Sequence, residues 1–256
     1  MRKNIAALID APPVVRSWLV EGIIPTHSIV ILAGDSGVGK SSLCYRMAMS
    51  VATGQQFIGR AVTQGRVLYL DEENNEQDSQ LYLQKLWRGQ PGDIDVLQAH
   101  MRFEHFSLVS SNETPYRLMG HLVTEHQPDL IFVDTYTTAC QIEDPNSNGE
   151  ANKALRLLRL VKAQCQSSCS MVLLHHTRVD AKTRSRDILG AKGLRHWTDA
   201  TIFHKVRQGR PRDDGLRLTA LEFEKMRGFS KLSSIGINPV QNTDGSVTLT
   251  QCFNGE

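Results

Sequence analysis

The sequence predicts an α/β fold: a mostly parallel, twisted sheet flanked by helices, with antiparallel strands toward the C-terminus. Three observations carry that reading. Apolar runs recur at 29–33 (IVILA), 67–70 (VLYL), 130–133 (LIFV) and 171–174 (MVLL). Each is continuous rather than alternating, as in strands buried on both faces of a parallel sheet. Helical periodicity fills the intervals, and from about residue 198 the pattern changes to β-prone segments separated by Gly, Pro, Asn and Asp, the mark of antiparallel strands at a sheet's far edge.

A chain of 256 residues with 40% hydrophobic content can bury one large α/β core. Residues 1–27 carry Pro12-Pro13 and Pro25, which interrupt any long element, so this stretch reads as an arm packing on the core or on a neighbour, and residues 28–256 as the domain. The net charge of +2 gives no compositional argument for nucleic acid, and local charge has to carry that question. Five cysteines, odd in number and without a C-x-x-C pair, go with no signal-peptide pattern and no long apolar span. That is the profile of a cytoplasmic protein with free thiols and no membrane segment. Cys165 and Cys169, four apart, read as partly buried rather than metal-binding.

The first strand runs into "GDSGVGKSS", and from Ser41 onward Leu43, Met47 and Val51 keep helical spacing. Strand turns to helix between Gly34 and Lys40, and Gly34-x-x-x-x-Gly39-Lys40-Ser41 fits the phosphate-cradling pattern. Glycines at 34, 37 and 39 let successive amides turn inward toward one anion, and the helix N-terminus adds free N–H groups and its dipole. The loop residues Gly34, Asp35, Ser36, Gly37, Val38 and Gly39, with Lys40, Ser41 and Ser42 at the helix start, are therefore the expected nucleotide contacts. Lys40 would reach the β- and γ-phosphates of ATP, and Ser41 would offer its hydroxyl to Mg²⁺.

The second strand runs into Asp71-Glu72-Glu73, and a helix follows over about 75–87. Residues 90–114 are mixed and turn-rich, and a helix over roughly 115–126 leads to the strand that ends at Asp134, the expected Mg²⁺-side acid. Residues 137–150 read as a mobile polar loop, and "EANKALRLLRLVKAQC" as an amphipathic helix. The strand at 171–174 ends in His175-His176, and residues 178–195 read as a basic loop.

In this order the motifs resemble the RecA-like P-loop ATPase core, most closely the RepA-type hexameric replicative helicases of plasmids and mobile elements, which are related to the DnaB and KaiC branches. "VLYLDEEN" resembles that family's strand ending in a catalytic glutamate, and "LLHHTR" its sensor strand. The resemblance spans roughly residues 10–250. It implies Glu73 as the water-activating base, with Asp71 and Glu72 as rivals, and His176 as the γ-phosphate sensor, with His175 as its rival. It also implies a homo-oligomer, a hexameric ring in which a basic finger reaches the neighbour's nucleotide. Lys192 stands where those helicases carry arginine and lacks its planar fork. The alternative is the Lys225-x-Arg227 pair in "EFEKMRG", which resembles the K-x-R of the DnaB and KaiC branches.

Single-stranded DNA is the expected partner. Arg178, Lys182, Arg184, Arg186, Lys192 and Arg195 oppose only Asp180 and Asp187 within 178–195, a position where RecA-like proteins carry a pore loop and where basic residues suit backbone neutralisation. No aromatic residue lies in that stretch to stack bases. The resulting expectation is a DNA-stimulated, ring-forming ATPase, a helicase; the alternative is a RecA/KaiC-like regulatory ATPase switch.

Overall fold

The computed structural model describes residues 4–12, 17–105, 114–166, 169–179, 186–188, 193–207, 215–230, 232 and 234–252. A short helix α1 (Ile5–Ile9) precedes a small hairpin of β1 (Trp18–Val20) and β2 (Ile24–Pro25). Next come β3 (Ile29–Gly34), α2 (Lys40–Thr53), β4 (Val67–Asp71), α3 (Glu76–Gly89), α4 (Ile94–His100), β5 (Met101–His105) and α5 (Pro115–His126). The middle of the chain forms β6 (Leu130–Asp134), α6 (Tyr136–Ala139), α7 (Asn148–Lys162), β7 (Ser170–Val179), β8 (Arg186–Ile188) and α8 (Gly193–Trp197). The chain closes with β9 (Ala200–Val206), β10 (Thr219–Met226), β11 (Ser234–Gln241) and β12 (Val247–Cys252).

The main sheet has the order β12-β11-β10-β9-β3-β7-β6-β4-β5, with β8 paired to β7 outside that path. Strands β9, β3, β7, β6, β4 and β5 are parallel, and β10 to β12 add antiparallel to β9. Side chains alternate between two buried clusters. Val30, Leu32, Tyr69 and Phe132 pack under α2, α3 and the C-terminal strands, whereas Ile31, Leu68, Val133 and Leu173 pack under α5 and α7. Strands covered on both faces have no polar side, which is why they read as unbroken apolar runs. The hairpin β1–β2 joins the first cluster through Leu19, Val20, Ile23 and Ile24.

Several local expectations are corrected. The turn-rich stretch 90–114 contains α4 and the edge strand β5, whose burial is only intermediate along MRFE; an edge strand covered on fewer sides keeps polar residues and loses the apolar signature. The segment read as a mobile loop begins with α6, a buried turn anchored by Tyr136 and Ala139. The basic stretch after His175-His176 is not all loop: β7 runs on to Val179 and pairs antiparallel with β8. Finally, β9 pairs parallel with β3 as well as antiparallel with β10, so it joins the parallel part of the sheet to the antiparallel edge.

Candidate nucleotide site

The phosphate loop hangs between the end of β3 and the start of α2. A Cβ on Gly34 would lie 2.7 Å from the His204 carbonyl oxygen and 2.9 Å from Val38 Cγ1, so β9 and the loop close on β3 only over a glycine. Gly39 caps α2 with φ 93°, a left-handed conformation that side chains resist. The Lys40 side chain folds back over the loop, and its Nζ donates to the carbonyls of Gly34 and Asp35, each at 3.1 Å. Burial draws the Lys40 pKa down, and the carboxylates of Glu73, Asp134 and Asp35 oppose that pull.

Strands β4 and β6 lie side by side with Asp71 opposite Asp134, yet the two acids have different surroundings. Asp71 Oδ2 accepts from the hydroxyls of Tyr45 and Ser79, Oδ1 accepts from the backbone N–H of Glu73 at 3.1 Å and of Asn74 at 3.0 Å, and the Asn74 amide reaches both oxygens. Its lone pairs are spent shaping the turn that carries Glu73, an Asx-type role. Asp134 is fully buried. Tyr69 donates to its Oδ2 at 2.9 Å, and Oδ1 has no hydrogen-bond partner of normal geometry. Burial pushes its pKa up to about 7, against which the Ser41 and Tyr69 hydroxyls act. A buried carboxylate oxygen left open beside a serine hydroxyl is a donor set for a hard divalent cation, so Asp134 and Ser41 fit Mg²⁺.

Glu73 is the acid tied to the phosphate loop. His176 Nε2 stands 3.5 Å from its Oε2, and the hydrogen bond from His176 holds the Glu73 pKa down, with the Lys40 charge adding to it. Glu72 differs: burial, with the nearby Asp71 charge adding to it, raises its pKa to about 7. On β7, His176 pairs with Gly34. His175 is buried toward α6, edge-on to Tyr136 at 5.5 Å between ring centroids, with Nδ1 3.3 Å from the Thr137 hydroxyl. The next residue, Thr177, donates its hydroxyl to Asp35 and so ties β7 to the phosphate loop. Lys40, Ser41, Glu73, Asp134 and His176 thus converge at the carboxyl edge of the parallel strands, where open α/β sheets bind ligands.

A family model described as an AAA domain, AAA_25, matches residues 2–182. The chain belongs to the AAA_25 family. Among its relatives, DNA repair protein RadA of Streptococcus pneumoniae (strain ATCC BAA-255 / R6) is 24% identical over 186 residues, covering 71% of this chain and 36% of RadA. RadA of Halalkalibacterium halodurans is also 24% identical over 186 residues, covering 71% of this chain and 34% of that protein. The chain therefore spans about a third of the length of these relatives. The KaiC-like protein PH0186 from Pyrococcus horikoshii OT3 matches the structure with a TM-score of 0.59 at 13% identity, covering 94% of this chain and 100% of that one. The fold is that of a RecA-like P-loop ATPase.

The finger candidates of this AAA_25 chain lie away from the loop. Lys225 is partly buried and donates to the carbonyls of Arg195 and Thr198, and Arg227, exposed in the turn after β10, stands 3.5 Å from Asp199 Oδ1. A register shift between Phe223 and Lys225 breaks the simple alternation of β10. Lys192, Lys182 and Arg184 lie outside the described residues. Arg186 contributes its backbone to β8, while Arg178 is exposed on β7, opposite residue 187 in the backbone register. Cys165 is partly buried and Cys169 buried, and no cluster of three or more His, Cys, Asp or Glu suited to a metal occurs among the described residues. Nor is any helix among the described residues long and apolar enough to cross a membrane.

Sequence reasoning missed the tyrosines. Tyr45 and Tyr69 lie tilted against one another, 4.8 Å between centroids, and each serves one of the two buried acids. The only trace of this in the sequence is a tyrosine two residues before Asp71 inside an otherwise aliphatic strand. Beside the phosphate loop, a cleft of about 600 Å³ runs from Ser36–Gly39 over Leu43, Ile237 and Leu249 to a basic rim of Lys85 and Arg217.

Proposed function

We propose that this AAA_25 protein is an ATP-hydrolysing, ring-forming motor on single-stranded DNA, a helicase of the RepA type serving replication of a plasmid, phage or mobile element. The observation that carries the hydrolytic part is the Glu73–His176 pair at 3.5 Å, electrostatically coupled to Lys40. Glu73, held ionised, takes the proton of the attacking water; His176, bonded to it, reports the γ-phosphate to β7. Lys40 neutralises the β- and γ-phosphates. Asp134 and Ser41 would hold Mg²⁺, which when bound would supply positive charge to offset that of the phosphates. Asp71 orients the turn and takes no part in proton transfer. The cleft beside the loop, apolar in its floor and basic at its rim, suits the nucleoside.

DNA is supported by the relatives named as DNA repair proteins and by the basic residues Arg178, Lys182, Arg184 and Arg186 that follow the sensor strand. The likeness to a KaiC-like protein favours the second reading, an ATPase switch without unwinding activity. Measuring phosphate release with and without single-stranded DNA, then strand displacement on a forked duplex, separates them. DNA-stimulated turnover with unwinding supports the motor; turnover indifferent to DNA and no unwinding refutes it in favour of the switch.

A further inference from the structure

The reaction side leaves one buried polar group at the loop unused. His204 sits on β9 opposite Gly34, and its side chain is buried. Nε2 lies 2.8 Å from the Thr219 hydroxyl on β10, while Nδ1 is buried with no hydrogen-bond partner. The ring comes within 3.9 Å of where a Cβ on Gly39 would stand, so it borders the residue that caps the phosphate-binding helix. Both His204 and Thr219 line the cleft that opens from the loop. Burial, reinforced by the Lys40 charge, lowers the imidazole pKa to about 3. The ring is therefore neutral, and with one nitrogen engaged it has one directional hydrogen bond left to make. A buried nitrogen left unbonded costs free energy, and a bound ligand recovers it.

Which part of a ligand it meets follows from strand order. Strand β9 flanks β3 on one side, whereas β7, β6 and β4, which lead to His176, Asp134 and Glu73, lie on the other. A nucleotide whose terminal phosphate faces Glu73 and His176 turns its opposite end toward β9 and the cleft. We propose that His204 is a nucleotide-binding residue whose Nδ1 hydrogen-bonds the ribose and α-phosphate end of the bound nucleotide, with Thr219 as the positioning residue that fixes its ring. In the tautomer in which Thr219 donates to Nε2, Nδ1 carries the proton and suits a sugar or phosphate oxygen. This rests on the phosphate-loop reading above.

The test measures the dissociation constants of Mg-ADP and Mg-ATP for the wild type, Lys40→Ala, His204→Leu, Thr219→Val and Thr219→Ser, with a nucleotide-free unfolding midpoint for each. Loss of one hydrogen bond predicts about tenfold weaker binding of both nucleotides in His204→Leu and Thr219→Val. Thr219→Ser, which keeps the hydroxyl, binds as the wild type does. If His204→Leu fails to fold, the Val and Ser variants at 219 carry the comparison alone. Folded His204→Leu and Thr219→Val proteins that bind both nucleotides at wild-type affinity overturn the proposal, and so does a loss confined to ATP, which would assign the contact to the γ-phosphate. A wild type that binds neither nucleotide, or a Lys40→Ala protein that binds as the wild type does, refutes the phosphate-loop reading instead.

Discussion

Replacing Asp134 by Asn is expected to raise the stability of the nucleotide-free protein at pH 8 while removing turnover. The carboxyl is pushed from 3.8 to about 7, chiefly by burial. Its folded pKa lies above its unfolded value, so between about pH 4 and pH 7 the folded state alone keeps the proton, and stability falls as pH rises through that window. Above it the cost is complete: about three units at ~1.4 kcal/mol each gives a ceiling of about 4 kcal/mol. Asparagine keeps the oxygen that accepts from Tyr69 and carries no charge. Between pH 5 and pH 8 the variant's advantage should grow by about two units, or roughly 3 kcal/mol. In a chain of this size that is an extra ~6–12 °C in unfolding midpoint. Thermal unfolding by circular dichroism in chelator, at both pH values, reads it directly. An advantage equal at the two pH values, or a variant less stable than wild type at pH 8, would refute the burial argument. A charge that costs the empty fold this much is one that the fold does not need and the bound ligand does.

Glu73→Gln should still bind ATP and lose about 100-fold or more in turnover, a typical loss for a general base; Asp71→Asn should instead cost about 1–3 kcal/mol of stability, because an amide nitrogen replaces the oxygen that accepts from Tyr45 and Ser79. Urea titration beside single-turnover kinetics distinguishes the two, and a larger catalytic loss at Asp71 in a stable variant would reverse the assignment. Replacing Arg184 and Arg186 together by Ala should flatten the salt dependence of single-stranded DNA binding by about 0.7 in log-log slope per lost phosphate contact and leave basal ATPase intact; an unchanged slope removes DNA contact from these residues. Arg227→Ala should bind ATP and hydrolyse it poorly, and mixing it with Lys40→Ala protein should restore activity through subunits that combine one intact loop with one intact finger. Full activity in Arg227→Ala alone would move the finger elsewhere.

The parts of this molecule legible in the sequence are those where one physical demand dominates a short stretch. Phosphate binding forces glycines, Lys40 and Ser41 into adjacent positions, and double-sided burial turns β3, β4, β6 and β7 into apolar runs. What escaped depends on pairing across the chain. Strand β5 is held mainly by its parallel register with β4, Met101 to Val67 through His105 to Asp71, which no local pattern announces. The choice among Asp71, Glu72 and Glu73 was open because alternation groups the first and third, whereas the structure separates them by what arrives from elsewhere: Tyr45 and Ser79 on Asp71, His176 on Glu73. For the same reason the tandem histidines divide by the helix layer that only one of them meets, His175 against Tyr136.

The position of Arg227, the finger candidate, bears on how a ring would work. Met226 at the end of β10 pairs with Ala200, and Ala200 pairs with Val30 near the start of β3, whereas the phosphate loop leaves β3 at Gly34. Four residues at ~3.3 Å put ~13 Å of strand between the turn of Arg227 and its own loop, so under the ring proposal the γ-phosphate that Arg227 meets is another copy's. In its own subunit Arg227 is held by Asp199, whose other oxygen accepts the backbone N–H of Ile29 at 3.0 Å, the first residue of β3. A finger engaged by a neighbour's nucleotide exchanges Asp199 for phosphate, and the carboxylate it leaves behind still grips the foot of the strand that carries its own loop. Under the ring proposal this gives the two sites a shared element, and linkage makes the coupling reciprocal. Asp199→Asn weakens the carboxylate's hold on both Arg227 and Ile29, so it should lower the Hill coefficient of ATP hydrolysis toward one while each site still turns over. Cooperativity unchanged in that variant would mean that the strand carries no signal between sites.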